Sequence, residues 1–499
     1  MKIEVTGRIS KLPQAVYERK VLLPQFSFEL ENYLVNYIRI EKVLLKQYYE
    51  QGFINKEETE NILAAIQAVK SENLKKSSTE NLTDIALTLE RQIEENMTLS
   101  VPNWHLDRSR NDFQACSQLM YAREQYINII DKIQELFKLV INLVEKNSSI
   151  ILPGYTHYQA AQIISVGFYL TSISHHLLET QRKMLHCLES LNQSCPLGGG
   201  ALAGQEISWD VEQTANDLGF NCFIGHAMVS VSSRNWILEI GDSIVFFTNN
   251  LSRILTDFMN WGSSEYQYIN LPDDLTGISS SMPQKRNFPI LERIRGKTSH
   301  VISYYNDFLL GQRNTPFTNL VEVSKEASSN LYTMFNTTKD IIDLFSIIIE
   351  NVQFDKEKIY EKCQKDYYGG FTLANQLTIQ NKIPYRLSQV IVGKFITKSL
   401  QNKDTLNDLS LESLAKLCDE FGFSNSINQE QLVEIFDIDK LLTRKNSKGS
   451  THPESVKEII KNQWAVYNNY QDKFSQITNK IRTSSQSIDK WTPLKGIKL

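Results

Sequence analysis

The segment ILEIGDSIVFFTNNLSRILTDF, residues 237–258, decides the fold class. It holds a single glycine and no proline, and its apolar side chains recur three or four residues apart. That spacing places them on one face of an α-helix, at Ile237, Ile240, Ile244, Phe247, Leu251, Ile254 and Phe258. The segment therefore predicts an amphipathic helix about twice the average length of roughly 11 residues.

Two other segments repeat this pattern. One has its apolar face at Tyr126, Ile130, Ile133, Phe137, Val140 and Val144. The other has it at Leu331, Met334, Phe335, Ile341, Phe345 and Ile348. Breaks at 153–154, 196–204 and 262–283 separate the long helices, which is typical of an up-down bundle. No strands alternate with helices, so we predict an all-α protein rather than a parallel sheet.

We predict three helical domains, with the long bundle at 113–356 between an N-terminal domain at 1–112 and a C-terminal domain at 357–499. Shorter helices are expected at 56–70, 384–399 and 411–421. Polar residues dominate 479–499, which favours a loose tail. The helix at 126–144 is apolar on much of its circumference. Contacts between subunits would explain this, and a thick core is the alternative.

The composition excludes several classes of protein. Of the 499 residues, 41% are hydrophobic, and the formal net charge is −4, so neither nucleic acid nor a membrane is an expected partner. No signal peptide or membrane-spanning run is present. The six cysteines are scattered without a Cys-x-x-Cys pair, and the histidines lack ligand spacing. We expect reduced thiols in the cytoplasm and no metal.

The loop GISSSMPQKRN, residues 277–287, carries the strongest chemical signal. Lys285 offers a positive charge and Asn287 an amide, while Pro283 stiffens the turn after a flexible run of serines. Such a loop could close over an anion and favour ionisation of a serine. An ordinary surface turn is the alternative.

A second motif is PGYTHYQ, residues 153–159. Proline and glycine would open a helix here, whose first turn attracts anions. Thr156, His157 and Gln159 would then present a hydroxyl, an imidazole and an amide to that site. A histidine that merely caps the helix is the alternative.

A third motif is DRSRND, residues 107–112. Arg108 and Arg110 beside serine and asparagine form a plausible carboxylate clamp, because guanidinium binds carboxylates through two hydrogen bonds. The alternative is an exposed cluster of ion pairs with Asp107 and Asp112.

A glycine-rich loop, PLGGGALAG at residues 196–204, matches Gly-x-Gly-x-x-Ala. The preceding residues have helical rather than strand character, so a dinucleotide site is rejected.

Together these motifs resemble the fumarase/aspartase superfamily. The loop at 277–287 is similar to its Gly-Ser-Ser-x-Met-Pro-x-Lys-x-Asn signature. Glu292, residues 295–297, and the other three motifs narrow the resemblance to argininosuccinate lyase. It extends from about residue 80 to about residue 456.

This resemblance implies a lyase without cofactor that releases fumarate from a succinyl-amine substrate, with active sites shared between the subunits of a homotetramer. It assigns Ser279 as the base, with Ser280 as an open alternative. Lys285 and Asn287 would stabilise the developing charge, and Glu292 would orient His157 toward the leaving group. The remaining substrate-binding residues would be Ser109, Arg110, Asn111, Thr156, Gln159 and Ser280.

The sequence departs from the family where the leaving group would bind. Asn319 and Ser324 stand where the family has tyrosine and glutamine, and Ala86 where it has histidine. Phe113 and Ile278 replace the family's glutamine and glycine. A related lyase with another amine is therefore an alternative to cleavage of argininosuccinate. An inactive relative kept as a structural or binding protein is a second.

Overall fold

The computed structural model describes residues 11–76 and 84–493. Its N-terminal part is helical, with a π-helical turn at Glu18–Leu22. The α-helices there are α1 Ala15–Tyr17, α2 Leu23–Asn32, α3 Leu34–Glu50, α4 Lys56–Gln67, α5 Ser71–Lys76 and α6 Ile85–Asn96. The Asn55 side chain accepts from Glu58 N at 3.0 Å, and the Glu58 carboxylate accepts from Asn55 N at 2.7 Å. This capping box starts α4 where the sequence predicts a helix.

The middle of the chain alternates long helices with short strands. In order these are α7 Arg110–Asn147, β1 Ile151–Thr156, β2 Gln159–Ser165, α8 Val166–Gln193, β3 Ser194–Cys195, α9 Val211–Asp217, β4 Cys222–Phe223, α10 Ala227–Ser232, α11 Asn235–Trp261, β5 Ile269–Asn270, β6 Gly277–Ile278, β7 Arg286–Asn287, α12 Pro289–Gln312, α13 Leu331–Asn351 and β8 Gln353–Phe354. The strands pair as β1–β2, β3–β4, β5–β8 and β6–β7.

The rest of the chain is helical again. Its helices are α14 Lys356–Cys363, α15 Gly370–Asn381, α16 Tyr385–Asn402, α17 Leu411–Glu420, α18 Gln429–Phe436, α19 Ile438–Leu441 and α20 Pro453–Lys490. Both helices predicted here, at 384–399 and 411–421, are present within a few residues as α16 and α17.

A bundle of long helices forms the centre of the molecule. Helix α7 packs on α8 and α13, α8 also packs on α11, and α12 fills the gap between α11 and α13. The three long amphipathic helices expected from the sequence are α7, α11 and α13, and their apolar faces are buried in this core. The all-α prediction is confirmed.

The apolar circumference of α7 is explained within one chain. Its side chains from Tyr126 to Val144 that carry the stripe are fully buried against α3, α8, α13 and α20. The prediction that this stripe makes subunit contacts is therefore wrong, and the thick core is correct.

The C-terminal part contributes to two cores. Residues between Leu373 and Phe436 form a separate apolar cluster. Helix α20 instead returns to the bundle, where Tyr467, Phe474 and Ile488 are buried. The predicted loose tail at 479–499 is wrong as far as Lys490, because α20 packs along α8 and α3; residues 494–499 lie outside the described part. The domain boundaries at 112 and 356 stay a prediction.

Within the described ranges, the helices are too short or too polar for any of them to cross a membrane.

Candidate active site

The motif at 107–112 lies where α7 begins. Ser109 caps the helix, with its hydroxyl accepting from Asn111 N at 3.2 Å. The Asn111 side chain donates to the carbonyl of Ala201 at 2.9 Å, which joins the motif to the glycine-rich loop. The Arg110 side chain is 49% exposed, with Nη1 3.5 Å from the Asp84 carboxylate. Arg110 therefore stays accessible to a bound anion.

Asp112 fixes the glycine-rich loop to α7. Its Oδ2 accepts from Gly198 N at 3.0 Å and from Gly200 N at 2.9 Å. Both glycines have positive φ, 115° and 59°, a conformation that residues with a side chain rarely adopt. Burial raises the pKa of Asp112 to about 6, although the N–H bonds act in the opposite direction. The loop is thus a structural partner of the motif.

Asp107 anchors the next stretch of chain in the same way. Its carboxylate accepts from Glu206 N at 3.1 Å, from Ile207 N at 2.8 Å and from Trp209 Nε1 at 3.0 Å. Burial would raise the pKa of Asp107, but these donors outweigh it and hold the pKa below its usual value.

Arg108 does not belong to a carboxylate clamp. It donates from Nη1 and Nη2 to the two oxygens of Glu41, at 2.9 and 2.6 Å. Both side chains are buried, and the pair ties the residues before α7 to α3. The prediction that Arg108 and Arg110 act together is wrong, and so is the alternative of ion pairs to Asp107 and Asp112, because Glu41 occupies the guanidinium.

The motif at 153–159 is a β-hairpin rather than a helix start. Strands β1 and β2 pair in antiparallel fashion up to Thr156 and Gln159, and the next helix begins only at Val166. The predicted helix start is wrong because the backbone here is extended. Ile151 pairs with Ser165 and Leu152 with Ile164 in the antiparallel ladder. The helix-end attraction for anions expected at Thr156 and His157 is therefore absent.

The hairpin tip holds His157 in an unfavourable backbone conformation. His157 and Tyr158 have φ of 54° and 61°, in the left-handed region where glycine or asparagine is usual. Such positions cost about 1–3 kcal/mol each and cluster at functional sites. Thr156, His157 and Gln159 are all exposed at this tip. The turn thus presents three polar side chains outward, toward whatever binds there.

Two tyrosines brace the hairpin against the next part of the site. The hydroxyls of Tyr155 and Tyr268 lie 2.6 Å apart, and the ring of Tyr266 meets Tyr155 edge-on at 5.7 Å. Tyr268 is directly followed by β5, whose residues line the main cavity.

The loop at 277–287 projects from the paired strands β6 and β7. The Ser279 hydroxyl accepts from Met282 N at 3.1 Å, which closes a tight turn. Ser280 and Lys285 are exposed and Asn287 is half-buried. Arg286 fastens the loop, donating to Asn270 Oδ1 at 2.6 Å, to the carbonyl of Leu271 at 2.6 Å and to the Asp273 carboxylate at 2.7 Å.

A cavity of about 740 Å³ lies behind this loop. Lys285, Asn287 and Glu292 line it, together with Asn270 and with Asp355. The structure therefore brings together a cation, an amide and a carboxylate that the sequence assigned to one site. Ser279 lies at the loop beside it, whereas Ser109, Arg110, Asn111, Thr156, His157 and Gln159 do not line it.

His157 and Glu292 do not meet within one chain. Across residues 11–76 and 84–493, no hydrogen bond or ion pair joins them, and Glu292 lines the 740 Å³ cavity whereas His157 does not. The orientation of His157 by Glu292 thus stays a prediction.

Sequence reasoning missed a second cavity, of about 390 Å³. Glu29 is buried in its wall and forms an ion pair with Lys325, and it also accepts from Ile85 N at 3.1 Å. Burial raises the pKa of Glu29, opposed by the charge of Lys325. The sequence signal that could have revealed this cavity was Glu29, an acidic residue at a position on the buried face of α2, beside Phe26.

Of the two departures at 319 and 324, the second lies at this cavity. Ser324 lines it and is buried, and its carbonyl accepts from Gln118 Nε2 at 2.7 Å. The Oδ1 of Asn319 is buried without a hydrogen-bond partner within the described ranges. The described residues contain no group of three or more His, Cys, Asp or Glu side chains that could hold a metal ion.

A family model described as "Lyase" matches residues 20–303. The chain belongs to this lyase family. It is 28% identical to argininosuccinate lyase from Saccharophagus degradans over 458 residues, 91% of this chain and 95% of that enzyme. With argininosuccinate lyase from Bacillus mycoides the identity is 30% over 416 residues, 82% of this chain and 87% of that enzyme.

Solved structures share the fold of this lyase. An EDDS lyase variant with bound fumarate matches with a TM-score of 0.83 at 21% identity, over 97% of this chain and 96% of that one. The class II fumarase from Schistosoma mansoni matches with a TM-score of 0.67 at 16% identity, over 85% and 95%. The protein is an argininosuccinate lyase-like member of the fumarase/aspartase superfamily and a carbon–nitrogen lyase, as its motifs predicted.

Proposed function

We propose that the protein releases fumarate from an N-substituted aspartate by β-elimination. The observation that carries this is the cavity behind the loop at 277–287, where Lys285, Asn287 and Glu292 converge. A cation and an amide around one open volume can stabilise the negative charge that develops on a carboxylate during elimination.

The chemistry follows from charge. Ser279, ionised to its alkoxide, takes the proton from the carbon beside one carboxylate and becomes a neutral hydroxyl, and the electron pair of the broken C–H bond moves into that carboxylate. The resulting dianionic aci-carboxylate then forms the C=C bond of fumarate while the C–N bond breaks and the nitrogen takes up a proton. Lys285 and Asn287 stabilise the extra charge, with Thr156 and Gln159, at about 3 kcal/mol per well-placed donor. Ser280 is the alternative base.

The remaining residues bind the ends of the substrate. Ser109, Arg110 and Asn111 hold the succinyl carboxylates, and His157 serves the leaving amine under the influence of Glu292. The exposure of Arg110 and of the hairpin tip supports these roles, because both side chains are unshielded in one chain.

Separation of the motifs supports a homotetramer with shared sites. Apolar side chains on the outer face of α12 and α13 are exposed in the single chain, at Ile302, Leu309, Leu310 and Ile347. Burying them between subunits would bring the hairpin of one chain to the loop of another. We further propose a cytoplasmic enzyme that needs no cofactor and binds neither nucleic acid nor membrane.

The leaving amine is proposed to be other than arginine. A guanidinium pairs strongly with a carboxylate, and Glu29 in the wall of the second cavity is already paired with Lys325. Asn319 and Ser324 also replace the family's tyrosine and glutamine. Argininosuccinate itself is the alternative substrate.

Fumarate release tests the activity directly. A panel of succinyl-amine adducts is mixed with the protein, and ultraviolet absorbance reports fumarate. At least one adduct should react; silence across the panel from a well-folded oligomer would favour an inactive relative.

Kinetics on argininosuccinate test the substrate proposal. We expect a kcat/KM about a hundredfold or more below that for the true substrate, because polar partners for the guanidinium are missing at two positions. A kcat/KM above roughly 10⁴ M⁻¹s⁻¹ would restore argininosuccinate as the substrate.

A further inference from the structure

The buried acid of the second cavity holds two distant segments together. Glu29 lies on α2 with its side chain 1% exposed, and Lys325 belongs to the π-helical turn Glu322–Glu326. The two form an ion pair at Glu29 Oε1, which also accepts from Gln25 Nε2 at 3.1 Å. A buried charge is tolerated in a folded protein when partners of this kind surround it. The pair therefore fixes the position of the Glu29 carboxylate.

The other oxygen of Glu29 holds the beginning of α6. Glu29 Oε2 accepts from Ile85 N at 3.1 Å, and Ile85 is the first residue of that helix. The preceding residue, Asp84, caps the helix, with its Oδ1 accepting from Ala86 N at 3.1 Å. The first N–H groups of a helix have no partner within the helix, so these two carboxylates supply what α6 lacks. Glu29 thereby anchors the backbone next to Asp84.

Asp84 connects this anchor to Arg110. Its Oδ1 is engaged by the cap, and its Oδ2 lies 3.5 Å from Arg110 Nη1. The Asp84 side chain is 9% exposed and that of Arg110 49%, so the fixed end of the contact is buried and the guanidinium extends outward. An arginine that is already oriented loses less side-chain entropy when it binds a carboxylate. The position of Asp84 therefore affects how strongly Arg110 binds an anion.

The charges along this path act on one another. Burial raises the pKa of Tyr37, and the charges of Glu29 and Asp84 raise it further. The charge of Arg110 lowers the same pKa, so all three charged groups lie near one buried side chain. Burial also raises the pKa of Glu29, which the charge of Lys325 lowers and the charge of Asp84 raises. Lys325 thus offsets the repulsion between the two carboxylates at the start of α6.

We propose that the Glu29–Lys325 pair positions Arg110 to bind a carboxylate of the substrate, acting through Ile85 and Asp84. This rests on the proposed role of Arg110 in holding the succinyl half. Glu29 and Lys325 are positioning residues in this arrangement, because they act on Arg110 through the start of α6. Loss of the pair should weaken the binding of a dicarboxylate while Arg110 itself is still present.

Fumarate binding tests the proposal without any turnover. The neutral-pair variant, Glu29→Leu with Lys325→Met, replaces both charges by apolar side chains, since removing one charge alone would leave the other unpaired. Isothermal titration calorimetry with fumarate should give a Kd about tenfold above that of the wild-type protein, as for the loss of one well-oriented contact to a charged group. A Kd within about twofold of wild type would overturn the inference. Absence of fumarate binding by the wild-type protein would overturn the role of Arg110 and this inference with it.

A double-mutant cycle shows whether the pair acts through Arg110. Arg110→Gln should weaken fumarate binding at least as much as the neutral-pair variant does. Adding the neutral pair to Arg110→Gln should weaken binding no further, because the group that the pair positions is then already lost. If the two effects multiplied instead, the pair would act elsewhere, and the proposal would be contradicted.

A second ion pair provides the matched control. Lys46 and Asp217 form a largely buried pair at 2.7 Å, which joins α3 to α9. Lys46→Met with Asp217→Leu should leave the Kd for fumarate unchanged. Equal weakening in both neutralised pairs would mean a general loosening of the fold and would rule out a specific role for Glu29 and Lys325.

Two milder variants keep the test decisive if the neutral-pair variant does not fold. Lys325→Arg preserves the ion pair and should keep the wild-type Kd. Glu29→Gln keeps the size of the side chain and one acceptor oxygen but loses the charge, so the Kd should rise by about threefold. A normal Kd in Glu29→Gln together with a weakened one in Lys325→Arg would contradict the proposal.

Turnover separates this inference from the proposed elimination. With an adduct that releases fumarate, the neutral-pair variant should raise KM by about tenfold and leave kcat within about twofold, because Arg110 binds the ground state and the transition state alike. If fumarate binding responds as expected but no adduct releases fumarate, the positioning stands and the proposed elimination fails. If adducts do release fumarate but the neutral pair leaves Kd and KM unchanged, the elimination stands and the positioning fails.

Discussion

The start of α7 and the loop at 277–287 both carry residues that we propose bind the substrate, yet they are built in opposite ways. At α7 three residues of the motif at 107–112 make structural contacts. Arg108 donates to Glu41, and Asp107 and Asp112 each accept several N–H groups. In the loop every residue from Ser280 to Lys285 is exposed. Its base is held by the pairing of β6 with β7 and by Arg286, which makes three hydrogen bonds to the 270–273 segment.

We call the motif at the start of α7 the prebuilt half of the candidate site, because contacts within the chain hold it. The loop at 277–287 is the unfinished half, because its tip is exposed. Around Ser109 the neighbours make most of the structural contacts, which leaves the Arg110 side chain 49% exposed, while Asn111 is itself bonded to the Ala201 carbonyl. The loop is held only at its base, and its tip from Ser280 to Lys285 is exposed. Binding energy spent on closing such a loop also excludes water from the reaction.

The largest effect is expected in the unfinished half. Ser279→Ala should lower kcat by about a thousandfold or more while the oligomer survives, because the base is lost but binding and electrostatics remain. Ser280→Ala is the matched control on the adjacent hydroxyl. Should Ser280→Ala abolish turnover and Ser279→Ala spare it, the base is Ser280.

Mixing two inactive variants tests whether the loop is completed by another chain. His157→Asn and Ser279→Ala are each inactive alone, and subunit exchange should restore about a quarter of wild-type activity. Random assembly pairs an intact hairpin with an intact loop in that fraction of sites if they come from different chains. Absence of recovery, with exchange verified by mass spectrometry, would mean that each site lies within one subunit.

The long helices could be predicted from the sequence, but the hairpin could not. Helical periodicity predicted α7, α11 and α13, since an apolar stripe leaves few alternatives. The hairpin at 151–165 was missed because Pro153 and Gly154 suit a helix start as well as a strand with a bulge at Gly154 and Tyr155. Long-range pairing decided between them, and a local pattern does not contain it.

The arrangement of the candidate site was only partly predictable. Motif residues at 279–292 did gather around one loop, because they are close in sequence. The roles of Arg108 and Lys325 depend on Glu41 and Glu29, which are far away in the chain. No spacing rule in the sequence identifies such distant partners. Arg108 was therefore predicted to bind substrate, whereas its ion pair with Glu41 gives it a structural role.

Arg286 should have an intermediate effect, because its three side-chain hydrogen bonds tie the base of the loop to the 270–273 segment. Arg286→Gln should lower kcat by about tenfold through misplacement of Lys285, with a smaller change in the stability of the fold. Arg293→Gln, an exposed arginine on the following helix, provides the control. An unchanged kcat in Arg286→Gln would mean that substrate alone orders the loop.

The smallest effect is expected in the prebuilt half, as a pH dependence of stability. The pKa of Asp112 is about 6 in the folded protein, against about 3.9 in the unfolded chain. A carboxyl whose pKa is raised by folding favours the folded state when protonated, so its contribution is full below the unfolded value and is lost as pH rises through 6. Between pH 5 and 7 the loss amounts to about 1 kcal/mol.

Comparison with Asp112→Asn isolates this contribution, because the amide does not titrate. Urea unfolding at pH 5 and pH 7 should show that the variant lacks the part of the slope due to Asp112. The variant should also be less stable at both pH values, since an amide has one acceptor oxygen and cannot accept both from Gly198 N and Gly200 N and, on the other oxygen, from Phe113 N. If wild type and variant had parallel pH profiles, Asp112 would titrate normally, and the frame around the Ser109 motif would owe its rigidity to the Arg108–Glu41 pair instead.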